Sequence, residues 1–117
     1  MMTRKLDAAI AEALGYEVIK PRFQDVRDSG GYLHKNVDMW TGGFSYYSTD
    51  GNAMLELDRE MQARDFMLMV EVYNEGYSAT YWICHAEEWT GDYVSDNMPK
   101  AVALAAYKAL TGKEWRE

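Results

Sequence analysis

A chain of 117 residues with 48% hydrophobic and 14% aromatic side chains has enough apolar material for one core, so residues 1–117 read as a single folded domain rather than a disordered segment. Nineteen acidic against twelve basic residues leave a formal charge of −7, which argues against general affinity for nucleic acid, because that affinity comes from neutralising phosphates. The single cysteine, Cys84, excludes an internal disulfide, and no run approaches the roughly 18 apolar residues of a membrane span. Arg4, Lys5 and Asp7 arrive before an apolar leader could form, so a reducing cytoplasm is the expected compartment.

Thr3 is placed to cap a first helix, with Leu6, Ala9, Ile10, Ala13 and Leu14 following at helical spacing and Gly15 standing where a left-handed stop belongs. Residues 16–19 start as a strand that Pro21 breaks or confines to an edge. Residues 23–26 and 32–37 flank Asp28, Ser29, Gly30 and Gly31, which predicts a short polar hairpin. Residues 39–44 read as a loop carrying Trp40 and Phe44. Ser48, Thr49 and Asp50 are all good N-cap types, and Met54, Leu57 and Met61 then mark one face of a second helix.

Residues 66–73 are a strand by composition. Phe66, Leu68, Val70 and Val72 share one face and Met67, Met69 and Tyr73 the other, so both faces are expected to be covered. Asn74, Glu75 and Gly76 predict a tight hairpin with positive φ at Gly76, and residues 77–85 form the return strand. Residues 87–96 read as an acidic loop holding Trp89 and Tyr93. Asp96 or Asn97 caps a last, alanine-rich helix with Pro99 in its first turn and Gly112 at its end. The order of elements lacks a regular strand–helix alternation, which gives an α+β fold with helices packed on a small antiparallel sheet.

The inventory for catalysis is short. Cys84 and His85 are neighbours in a predicted strand, where adjacent side chains point to opposite faces and cannot form a dyad. His34 and Asp38 are four apart outside any predicted helix. Glu87, Glu88, Asp92 and Asp96 do not follow the alternation of a calcium loop and read as a solvated acidic stretch. Neither glycine-rich phosphate cradle is present. No catalytic residue, metal site or cofactor is assigned, and a small hydrolase using the loop carboxylates ranks last. Binding is better supported. Trp40, Phe44 and Trp89 lie outside predicted regular structure, and aromatic faces stack on bases with roughly 1–3 kcal/mol each. Arg64, Lys113 and Arg116 are candidates to meet phosphate. The competing reading is that such aromatics close the edges of the core and such cations are solvated.

Three stretches together resemble a known family. They are the opening helix that ends in Gly15 and Tyr16, the Tyr47-Ser48-Thr49-Asp50 step into a helix, and the alanine-rich helix after Asn97. In these the chain resembles the phage ABA-sandwich domain of small phage and prophage proteins over nearly its full length. It departs at Gly51-Asn52 and in the long insert of residues 23–44. The resemblance implies an alpha-beta-alpha sandwich. Through the similar Thoeris anti-defence sponge proteins, it implies a non-enzymatic protein that sequesters a cyclic ADP-ribose-type second messenger in the host bacterial cytoplasm. It further implies a homo-oligomer with pockets between subunits. On residue chemistry alone, Trp40, Phe44 or Trp89 would stack on adenine and Arg64, Lys113 or Arg116 would meet the pyrophosphate. The alternative is an acidic inhibitor that occupies a host protein or DNA-binding surface through the carboxylates of residues 87–96.

Overall fold

The computed structural model describes residues 2–15, 17–19, 33–36, 39–41 and 47–116. Helix α1 (Met2–Ala13) buries Leu6, Asp7, Ala8, Ile10 and Ala11, and Leu14 just beyond it, a wider face than the expected stripe, and Gly15 follows at φ +101°. Strands β1 (Glu17–Ile19), β2 (Leu33–Asn36) and β3 (Met39–Thr41) make a small antiparallel sheet in that order. Of the loop expected over residues 39–44, residues 39–41 are thus a strand, with Trp40 opposite Lys35, and residues 42–44 lie outside the described residues. The predicted partner strand at residues 23–26 and the turn at 28–31 lie outside the described residues.

Helix α2 (Gly51–Ala63) starts at Asp50, whose carboxylate accepts from Asn52 N–H at 3.3 Å, so Asp50 is the cap among the three candidates. Ser48 acts elsewhere. It is fully buried, its N–H donates to Asp7 Oδ1 at 2.9 Å and its carbonyl accepts from Asn97 Nδ2 at 3.4 Å. This one residue therefore ties α1 to the starts of α2 and of the last helix. The predicted stripe of Met54, Leu57 and Met61 is buried, with Ala53 beside it.

A second sheet is built on the hairpin of β4 (Phe66–Tyr73) and β5 (Gly76–Ile83), whose eight residue pairs run without a bulge. The far side of β5 pairs with two short strands, β6 (Glu88–Trp89) and β7 (Tyr93–Ser95). The acidic stretch is therefore partly strand. Between those strands the Thr90 hydroxyl accepts from Tyr81 N–H at 3.0 Å, which completes the ladder where neither reaches. Gly76 does not take a positive φ. A Cβ there would meet the Ser95 carbonyl oxygen at 2.7 Å, so glycine is needed for room rather than for a left-handed turn.

Helix α3 (Met98–Thr111) has Pro99 in its first turn and ends at Gly112 with φ +74°. It packs on β5, β7 and β4, and against α1 and α2. This central position buries Ala101, Val102, Ala103, Ala105 and Ala106 completely, because only small side chains let a helix be approached from several sides at once. The architecture is α+β, with helices packed on a small antiparallel sheet. The helices lie on the face that carries Phe66, Ala79 and Tyr81. The described residues supply no second helical layer, and the expectation that both faces of β4 are covered is not met.

Candidate functional site

The face of the second sheet turned away from the helices is the largest feature that the core does not explain. Pairing across strands sets Met67 beside Trp82 and Trp82 beside Trp89, with Met69 opposite Thr80 and Val94 opposite Ser78. Directly opposed residues share a face, so these side chains form one surface. Met67 is 60% exposed, Trp89 49% and Val94 67%. The rings of Trp82 and Trp89 stand 5.1 Å apart and tilted by 57°. Between the large side chains the small ones are covered: Ser78 and Thr80 are buried, and the Thr80 hydroxyl donates to Asp92 Oδ1 at 2.7 Å. An exposed apolar surface of this kind, rimmed by carboxylates, marks a site of interaction.

Where α2 meets the start of β4 lies an open cleft of about 430 Å³, lined by Asp58, Gln62, Asp65, Phe66, Leu68 and Cys84, with Met67 at its lip. Asp58 is engaged on both oxygens, accepting from Tyr81 Oη at 3.0 Å and from Gln62 Nε2 at 2.7 Å. Burial first, and the Asp58 carboxylate second, push the Tyr81 hydroxyl far above the usual phenol range, so it stays a donor. The lining contains no histidine, arginine or lysine. Its charge suits a cation better than a phosphate. Cys84 and His85 lie in the turn after β5 rather than within the strand, and the His85 ring packs edge-on against Phe66 at 5.8 Å. Among the described residues no group of three or more His, Cys, Asp or Glu is arranged to hold a metal ion.

Of the six residues singled out in the sequence, the side chains of Arg64, Trp89, Lys113 and Arg116 are described, and none of the four lines the cleft beside α2. Trp89 lies on the open sheet face. Arg64 belongs to the helical layer, where its guanidinium donates to the Leu14 carbonyl at 2.9 Å and to the Glu60 carbonyl at 2.9 Å. Lys113 and Arg116 are exposed in the segment after α3 and have no ion-pair partner among the described residues. Trp40 is placed by its backbone in β3, and Phe44 lies outside the described residues. Tyr47 is buried in the core, Trp115 packs edge-on against Tyr107 at 5.3 Å, and Tyr93 donates to Glu114 at 2.6 Å, so these aromatics do close edges of the core. Trp82 and Met67 fall outside the set that the sequence singles out. Their signal is a hairpin apolar on both faces, and composition alone assigns such strands to a covered sheet.

Comparison with known proteins finds no family model, no curated protein and no solved structure that matches this chain.

Proposed function

We propose that this is a non-enzymatic binding protein of the phage ABA-sandwich type, which sequesters a cyclic ADP-ribose-type nucleotide in the cytoplasm of a bacterial host and does so as a homo-oligomer. The observation that carries the reading is the Trp82–Trp89 pair on an open sheet face, a platform on which a base can stack. Its surroundings support the oligomer. Glu71 and Asp92 stand on the same face as the tryptophan pair, so a pyrophosphate held there needs cations from elsewhere. Lys113 and Arg116, exposed and without an ion pair among the described residues, are cations that a second copy would bring.

Calorimetric titration with cyclic ADP-ribose isomers and cyclic di- and trinucleotides tests the reading. Trp89→Ala should weaken binding about ten- to a hundred-fold, the loss of one stacking contact. Retained affinity in Trp89→Ala would remove that residue from the site.

A second reading is favoured by the same acidic rim. Asp92 on that face, with the other carboxylates of residues 87–96, would make an interaction protein that occupies a basic host-protein or DNA-binding surface. It predicts no heat with any nucleotide, and capture of a host protein that weakens with salt and with the triple change Glu87→Gln, Glu88→Gln, Asp92→Asn.

A further inference from the structure

Among the described residues the second sheet has one short, protected side and one long, free side. On the protected side β5 meets β6 and β7, strands of two and three residues. On the free side β4 presents eight residues, and among the described residues it pairs with β5 alone. Two independent sets of bonds show which backbone groups face outward there. Cys84 N–H donates to the Asp65 carbonyl at 3.3 Å, so the 65–84 pair is a hydrogen-bonded one. Antiparallel pairs alternate, which makes 67, 69, 71 and 73 the β4 residues that bond to β5. From the other side, Tyr81 gives its N–H to Thr90 Oγ1 at 3.0 Å, and its carbonyl accepts from Thr90 N–H at 2.9 Å. Its partner Leu68 therefore receives nothing from it. The N–H and C=O groups of Phe66, Leu68, Val70 and Val72 point out of the sheet along the free edge.

Edge strands that remain free are usually protected by lysine, proline, a bulge or shortness. β4 has none of these: it reads Phe-Met-Leu-Met-Val-Glu-Val-Tyr, in full register with β5. We infer that β4 pairs antiparallel with β4 of a second copy about a two-fold axis, joining the two sheets into one. The axis runs through Met69 or through Val70, since a two-fold perpendicular to the sheet must keep like faces together. The near-neutral strand fits a second copy as the occupant, because the repulsion between two acidic chains is weakest along it. Each chain carries −7 overall, yet the strand itself bears one charge, Glu71. In the Met69 register Glu71 opposes Met67, and in the Val70 register it opposes Met69, so it never meets its own copy. The joined sheet also extends the Trp82–Trp89 face across the axis. A standard interface buries about 800 Å² per partner, and the exposed Met67, Val72 and Tyr73 that flank the edge come into cross-strand contact to contribute to it.

This inference deepens the oligomeric part of the proposed function and rests on the edge geometry. Sedimentation velocity over a concentration series reads it directly. The full chain should sediment as a dimer. Val72→Pro removes an outward N–H and no bond to β5, and Met69→Glu sets carboxylates against each other in either register. Both should sediment as monomers with an unchanged far-ultraviolet circular dichroism spectrum. Should Val72→Pro fail to fold, Met69→Glu and amide exchange decide: Leu68, Val70 and Val72 N–H should exchange slowly in the wild type and fast in Met69→Glu. A wild type that is monomeric throughout, or a dimer that persists in the folded variants, overturns the inference. Calorimetry on the same samples separates the two proposals. A dimer that binds no nucleotide leaves the interface standing and removes the sponge reading, whereas a monomer that binds nucleotide removes the interface and the oligomeric part of the proposed function and leaves nucleotide binding standing.

Discussion

At Gly76 a single hydrogen atom decides whether β5 and the end of β7 fit together, because the Ser95 carbonyl oxygen would lie 2.7 Å from any added Cβ. Gly76→Ala is expected to cost about 1–3 kcal/mol, the usual range for overpacking against backbone, measured as a lower denaturant midpoint with an unchanged slope. Arg64 is a second case in which geometry revises residue chemistry. Its guanidinium bridges the end of α1 to the last turn of α2 through two carbonyls and lies 3.7 Å from Glu60 Oε1. Arg64→Ala should therefore lower stability by about 1 kcal/mol, whereas Arg116→Ala, with no such bonds, should leave the melting temperature unchanged. Equal melting behaviour in the two variants would contradict the bridging role. Both helix-stopping glycines, Gly15 and Gly112, are legible in the sequence, since a left-handed residue after a periodic run is a local property. Gly76 is not, because the clash that demands it comes from a strand nearly twenty residues further on.

The elements are joined by buried polar contacts that hydrophobic periodicity does not reveal. Asp7 is buried and receives the Ser48 N–H, so Asp7→Ala would strand a buried donor and cost about 1–3 kcal/mol. Asp7→Asn keeps an acceptor and should recover part of that loss; a chemical denaturation series compares the two. The Tyr81 and Tyr93 hydroxyls are both raised above the usual phenol range, each by burial first and then by the carboxylate that it donates to, Asp58 and Glu114 respectively. An unfolded chain ionises tyrosine near about pH 10. The folded state therefore holds these protons longer, and the stability so gained is full below about pH 10 and lost as pH climbs through the folded values. The denaturant midpoint should fall above about pH 10, and fall less steeply in Tyr81→Phe. An equally steep fall would exclude Tyr81 as a source. The three helices and the central hairpin are legible because each carries a long period. β6 and β7 are not, because two or three residues cannot display an alternation, and the partner that selects them is β5.

For the whole molecule, the net charge and the one-sided layering have joint consequences. A domain carrying −7 keeps its copies apart except where apolar surface is concentrated, and that concentration lies on the open face and free edge of the second sheet. On the proposed reading, Trp89 of one copy and Lys113 and Arg116 of another would form one site, a relation that no reading of one chain contains. The aromatic half of the site is partly legible in Trp89, while its partner Trp82 is hidden within a strand whose composition matches a core. The measurement that tests the central claim most directly is calorimetric titration of the full chain with the cyclic ADP-ribose isomers and cyclic oligonucleotides, followed by recovery of the ligand and its chromatography. Saturable heat with one nucleotide, recovered whole, is the predicted result. No heat with any of them, or a ligand returned cleaved, would contradict a non-enzymatic nucleotide-binding protein.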